Sequence, residues 1–270
     1  MITTVSPTYA KEILTDSFGE GLQGVLQMRR HDLYGILNGI DYDIWNPDTD
    51  EKLAKNYALK NFKKGKAANK KALQEALGLA VDENKMLIGL ISRLTDQKGL
   101  DLIAEVMEQI VDDNTQFVVI GTGDQRYEDM FRHYAWKYPD KVSANIYYAD
   151  ELSHKLYAAA DAFLMPSAFE PCGLTQLISF RYGTVPIVRE TGGLKDTVEP
   201  YNEYEGKGDG FSFTNYNPWD MMEVINYAKY TYFVHRKEWD EMVARGMKKD
   251  FSWDASRYKY EGIYSWLIGW

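Results

Sequence analysis

Cysteine occurs once in 270 residues, at Cys172, which excludes an internal disulfide framework and any cysteine-built structural zinc site and makes a reducing compartment the natural expectation. Histidine is scarce too: His31, His133, His154 and His235 show no metal-ligand spacing, so no metal site is expected. Positive charge is in deficit, 31 Lys and Arg against 40 Asp and Glu, for a formal net charge of -9. That balance argues against binding to nucleic acid or a membrane surface, which needs a cationic field; an anionic ligand would need locally placed Arg or Lys. No apolar run approaches membrane-spanning length, and Met1-Ile2-Thr3-Thr4 lacks the basic and apolar regions of a signal peptide, so cytoplasmic residence is expected. Gly-x-Ser-x-Gly, His-Glu-x-x-His and Walker patterns are also absent, which removes the usual support for hydrolase, zinc-protease and ATPase readings.

What is present is a 45% hydrophobic composition, enough for a proper core, and 14% aromatic residues that can supply stacking faces. Residues 1–50 read as a lead-in, with strands at Ile2–Val5 and Leu33–Leu37, a short helix at Thr8–Leu14 and a polar turn cluster at Trp45–Asp50. Lys60–Lys71 is lysine-rich and reads as a solvated linker and helix face, with Asn69 capping a helix that Gly78 ends. From Lys85 the pattern becomes regular. Strands at Met86–Ser92, Gln116–Ile120, Val142–Tyr148, Ala162–Met165 and Val185–Val188 alternate with helices at Leu100–Val111, Asp124–Trp136, Leu152–Ala160 and Gly173–Tyr182. Such alternation across short loops predicts βαβ units and a Rossmann-like parallel sheet with flanking helices. Three further helices are expected near Pro218–Tyr230, Arg236–Met247 and Trp253–Ile268, the last with Tyr260, Ile263, Tyr264 and Leu267 in one apolar stripe.

Several loops fall on the carboxyl edge of the predicted sheet, where open α/β sheets bind ligands. Arg93 and Lys98 flank a strand-to-helix loop: they suit a diphosphate between them, or are solvated or paired with Asp96 and Asp101. Gly121 and Gly123 allow close backbone approach or simply make a tight turn. Tyr148 offers an aromatic face to a base or is a plain surface tyrosine. The loop Pro166–Gly173 carries Glu170 just before the amides of Cys172, Gly173, Leu174 and Thr175 at a helix N-terminus, a combination that accepts from hydroxyls and donates to oxygens, as a sugar or phosphate requires. Glu170 is otherwise a carboxylate favoured by the helix dipole, and without a histidine nearby in sequence Cys172 is a poor nucleophile candidate. His154 is expected to pack or cap on its helix. Gly192 and Gly193 add another glycine turn at the same edge.

The stretches Ser92–Asp101, Gly121–Asp124, Phe169–Gln176 and Thr191–Val198, together with Val5–Ala10, Asn38–Asp41 and Asp250–Trp253, resemble the latter part of bacterial glycogen synthases and plant starch synthases. The resemblance implies the C-terminal domain of a GT-B glycosyltransferase that moves glucose from ADP-glucose to the non-reducing end of an α-1,4-glucan with retention, without a cofactor or metal. It implies that Arg93 and Lys98 neutralise the diphosphate, Glu170 binds glucose hydroxyls, the amides of Cys172, Gly173, Leu174 and Thr175 hold sugar and phosphate oxygens, and Tyr148 packs on adenine. Gly121, Gly123, Gly192 and Gly193 are carried over as substrate contacts. Related enzymes often place a second glutamate on the ribose, eight positions after the first; here that position is Ile178, which counts against sucrose or trehalose chemistry.

The resemblance further implies three parts: 1–50 as the end of an N-terminal GT-B domain and its linker, 51–250 as the nucleotide-sugar-binding domain, and 251–270 as a helix that in the family packs on the N-terminal domain. That domain's Lys-x-Gly-Gly-Leu loop has no match, so the expectation is a donor site that needs an N-terminal partner for efficient turnover. The competing reading is a non-catalytic module that binds ADP or ADP-glucose or docks on such a partner. The stripe on the last helix is expected to be underpacked, or covered by self-association.

Overall fold

A computed structural model describes residues 1–269. The chain runs β1 (Ile2–Thr4), α1 (Pro7–Glu12), α2 (Gln23–Met28), β2 (Leu33–Gly35), α3 (Phe62–Leu77), β3 (Met86–Ile91), α4 (Leu100–Ile110), β4 (Thr115–Ile120) and α5 (Gln125–Lys137). It continues through β5 (Val142–Asn145), α6 (Asp150–Ala159), β6 (Ala162–Met165), α7 (Thr175–Arg181), β7 (Val185–Arg189), α8 (Gly192–Thr197) and β8 (Phe211–Phe213) to α9 (Pro218–Val234), α10 (Arg236–Met247) and α11 (Trp253–Ile268).

Strands β3 to β8 form one six-stranded sheet in the order β5-β4-β3-β6-β7-β8, and every pairing is parallel. The apolar runs explain this: on β3, Met86, Ile88 and Leu90 enter one core with α4, α5, α9 and α10, while Leu87 enters a second with α3, α6 and α7. Both faces are covered, so the strands need continuous rather than alternating hydrophobicity. Successive strands move outward from β3 through β4 to β5, then outward on its other side from β6. The order therefore reverses between β3 and β6, and the loops that follow these two strands sit side by side at the crevice where open sheets take ligands.

Two expectations for residues 60–71 are corrected. Asn69 lies in the middle of α3 rather than at its start: it is buried, its Oδ1 accepts from the amide of Ala54 (3.0 Å), and its Nδ2 donates to the carbonyls of Lys55 (2.7 Å) and Gly65 (2.9 Å). The lysines are not all solvated. Lys66 Nζ donates to Thr184 Oγ1 (2.7 Å) and to the carbonyls of Ala158 and Tyr182 (both 3.2 Å), and buried Lys70 pairs with Asp161 (2.8 Å). Lys66 thus satisfies carbonyls at the ends of α6 and α7, and Lys70 those of Glu83 and Lys85 ahead of β3, which a charge count along the sequence does not register. Gly78, with φ of 70°, does end the helix.

The lead-in packs onto the sheet domain. β1 and β2 pair in parallel, and α1 lies on α8, where the Thr8 amide and hydroxyl both donate to the Asp196 carboxylate (2.8 and 2.5 Å). Ile40 and Tyr57 enter the second core. Helix α11 is different: Ser256 is its one buried residue, and Tyr264, Trp266, Leu267 and Ile268 are exposed. Among the described residues no helix is long and apolar enough to cross a membrane.

Candidate functional site

The loop after β3 leaves Ile91, makes a single turn at Asp96–Lys98 and closes on Gly99 at φ of 70°. A Cβ on Gly99 would lie 2.1 Å from the carbonyl oxygen of Pro166, so the glycine allows this loop to touch the one after β6. Across that contact Lys98 Nζ reaches Glu170 Oε2 at 2.6 Å, and Ser167 Oγ donates to the same oxygen at 3.1 Å. The pair is largely desolvated, with side-chain exposures of 19% for Lys98 and 10% for Glu170. Gln97 and Arg189 hold the carboxylate's loop: the Ala168 amide donates to the Gln97 carbonyl (2.9 Å), and Arg189 Nη1 donates to the Ala168 carbonyl (2.8 Å). Lys98 and Glu170 line a hollow of about 70 Å³ with Ser92, Ser167, Leu174 and Thr175.

That hollow opens on the start of α7. Gly173 turns at φ of 70°, and Leu174 sits at the cap position without a side-chain hydrogen bond. Among the described residues nothing accepts from the amides of Gly173, Leu174 and Thr175, so these donors remain open to a ligand oxygen. Cys172 is buried, and burial pushes its thiol pKa up, which favours the unreactive protonated form.

Arg93 borders an adjoining pocket of about 360 Å³, which shares Ile91 and Ser92 with the hollow and is walled by Trp45, Tyr147, Tyr148 and Tyr157. The arginine is exposed, and among the described residues its guanidinium makes one hydrogen bond, Nη2 to Gln97 Oε1 at 3.3 Å. Its carboxylate neighbours in sequence are engaged elsewhere, Asp96 by Arg126 and Tyr127 and Asp101 by Tyr216 at 2.5 Å. Tyr148, 91% exposed, stands in the loop beyond β5 rather than on the strand, at the rim of the same pocket. Ile178 is buried in its wall.

The four glycines carried over as substrate contacts have their amides occupied. Gly121 donates to the Asn145 carbonyl (3.1 Å), Gly123 to Glu128 Oε1 (3.0 Å), Gly192 to Glu12 Oε1 (3.0 Å) and Gly193 to the Glu170 carbonyl (3.0 Å). All four also stand where two backbones approach closely, and Gly121 lines the pocket beside Arg93. Cβ atoms on Gly121 and Gly193 would lie 1.9 Å from the carbonyl oxygens of Ser92 and Cys172, so these glycines seat the loops that bear Arg93 and Glu170. Sequence reasoning missed Ser167, although it stands three positions before Glu170 on the same loop, and it missed Trp45, for which spacing offers no signal at all.

The family profile described as glycosyl transferases group 1 matches residues 72–241, and that of the starch synthase catalytic domain matches residues 1–28. A glycogen synthase of Lachnospira eligens is 63% identical over 98% of this chain and 56% of its own length, and one of Lachnoclostridium phytofermentans is 58% identical over the same shares. The chain thus spans about half the length of the curated relatives it matches. Among solved structures, the catalytic domain of starch synthase IV from Arabidopsis thaliana, bound to ADP and acarbose, superposes with a TM-score of 0.93 at 37% identity, over 100% of this chain and 56% of that one. Anabaena HepE in complex with UDP and glucose shares the fold, with a TM-score of 0.68 at 16% identity over 98% of this chain and 63% of that one.

Proposed function

The chain belongs to the group 1 glycosyl transferases, and on that premise we propose that it is the donor-binding part of a glycogen or starch synthase, holding ADP-glucose for retaining transfer to the end of an α-1,4-glucan. The observation that carries the reading is the Lys98–Glu170 pair beside the open amides of α7, with Arg93 and an aromatic pocket next door. In this reading the base lies in the aromatic pocket near Tyr148 and the diphosphate spans Arg93 and Lys98. As the sugar–phosphate bond breaks, negative charge grows on the departing ADP, and two cations fixed beforehand stabilise it without reorganising. Glu170 accepts from glucose hydroxyls while Lys98 is shared between the carboxylate and the diphosphate. The amides of Gly173, Leu174 and Thr175 donate to sugar or phosphate oxygens. ADP-glucose is a substrate here, and no cofactor enters.

The starch synthase IV structure supports ADP as the nucleotide, because that protein holds ADP on a matching fold. Efficient transfer also needs the acceptor and the reacting sugar positioned together, which we assign to the remaining length of the relatives' chains. Titration calorimetry of the chain with ADP and UDP tests the donor site: ADP binds more tightly than UDP, and Arg93→Ala and Lys98→Ala each weaken it at least about tenfold, as expected for losing a charge-assisted phosphate contact. Equal binding by wild type and both variants overturns the assignment. Adding a separately expressed N-terminal half should raise glucan elongation, whereas robust elongation by the chain alone overturns the need for a partner.

A further inference from the structure

Trp45 lies near the end of the lead-in, between β2 and α3 and distant in sequence from the glycine loops, yet its indole forms part of the wall of the pocket beside Arg93. It stacks on the imidazole of His154 with centroids 4.1 Å apart and planes at 16°, and meets Tyr157 edge-on at 5.5 Å. His154 is buried and held at both nitrogens. Its Nε2 lies 3.1 Å from Lys52 Nζ, and because an ammonium only donates, Nε2 is the acceptor and Nδ1 carries the proton. Nδ1 then donates to Asp50 Oδ2 at 2.7 Å, an oxygen that also accepts from Tyr182 Oη at 2.6 Å. Lys52 in turn pairs with Asp150, on the first turn of α6 and on the rim of the pocket, at 2.6 Å.

Three residues of one short segment, Trp45, Asp50 and Lys52, thus clamp onto His154 and Asp150, one helical turn apart on α6. Each end of the clamp is polar and directional, whereas hydrophobic packing alone would let the indole slide. Fixing an indole by a buried carboxylate–imidazole pair is what a binding wall requires: stacking on a base is sequence-tolerant in strength but sensitive to where the ring stands.

We propose that Trp45 is a positioning residue for the nucleotide base, held at the pocket by the Asp50–His154 pair. The proposal rests on the donor-site reading above and adds that the segment joining residues 1–37 to the sheet domain builds one wall of that site. The test is calorimetric titration of the full chain with ADP and with inorganic diphosphate, which engages Arg93 and Lys98 but has no base. Trp45→Ala weakens ADP binding about tenfold or more and leaves diphosphate binding unchanged, while Trp45→Phe restores most of the ADP affinity. His154→Ala weakens ADP in the same direction and causes no further loss in the Trp45→Ala background, because it acts through the indole.

Equal loss of ADP and diphosphate in Trp45→Ala overturns the proposal in favour of a purely structural role, and Trp45→Phe settles the matter should the alanine variant not fold. ADP binding by Trp45→Ala equal to wild type, with Arg93→Ala defective, also overturns it and leaves the donor site standing. Failure of the wild-type chain to bind either ligand overturns both.

Discussion

Lys98 and Glu170 stand 72 positions apart in the chain and 2.6 Å apart in space, joined by the adjacency of β3 and β6. Little solvent reaches either group, so removing one leaves the other without its counter-ion, Glu170 keeping only the Ser167 hydroxyl. Lys98→Ala should therefore destabilise the chain by about 3 kcal/mol, and the double variant Lys98→Ala/Glu170→Gln should recover a substantial part of that loss. Urea denaturation of the wild type, the two single variants and the double variant measures the coupling. Strict additivity would show that the contact contributes nothing of its own.

Among the described residues Lys66 forms no ion pair, its Nζ instead donating to Thr184 and to carbonyls, and burial pushes its pKa down to about 7. A lysine whose folded-state pKa lies below its unfolded value binds fewer protons when folded between about pH 7 and its normal value near 10.4, so stability rises with pH across that window. Relative to Lys66→Met, wild type should gain stability as pH is raised from 7 to 10. Parallel urea midpoints for the two proteins over that range would contradict it.

Gly121→Ala places a methyl 1.9 Å from the Ser92 carbonyl at φ of +155° and must displace the loop that carries Arg93. We expect a loss of about 2 kcal/mol or more in stability together with weaker ADP binding. Gly262→Ala, inside α11 with nothing within 4 Å, is the control and should stabilise its helix by about 0.5–1 kcal/mol. Thermal melts and ADP titration of both variants separate close packing from a general intolerance of alanine.

On α11, Tyr264 is 60% exposed and Leu267 53%, while Tyr260 and Ile263 are only partly covered. Apolar surface of this kind associates by burial. Sedimentation velocity should show self-association that grows with concentration and is suppressed by Tyr264→Glu/Leu267→Glu. A monomer at every concentration, unchanged by the double substitution, would contradict this.

The parallel sheet was legible because both of its faces are buried, which writes apolar runs into its strands such as Met86–Ile91 or residues 117–120 of β4. Lys98 and Glu170 were legible as a pair of loops at one sheet edge, but not as an ion pair, since Asp96 and Asp101 lie nearer to Lys98 in sequence and find other partners. The helix containing Asn69 was misread because its interior asparagine and lysines bond to distant backbone, and polarity in a sequence carries no record of which carbonyls lie nearby. His154 was expected to pack or cap on its helix; it is packed, but its stacking partner and its carboxylate come from about a hundred positions away, where Trp45–Asp50 reads simply as a turn. For Gly192 and Gly193 the motif located the loop correctly, yet their amides serve Glu12 and Glu170.

The contact of Thr8 with Asp196, 188 positions apart, bears on how the molecule is made. Synthesis presents α1 well before α8 exists, so the surface of α1 that meets α8 stays open to solvent until the 188 positions separating Thr8 from Asp196 have been translated. Docking of α1 on α8 should then come late in folding, after the sheet that positions α8 has formed.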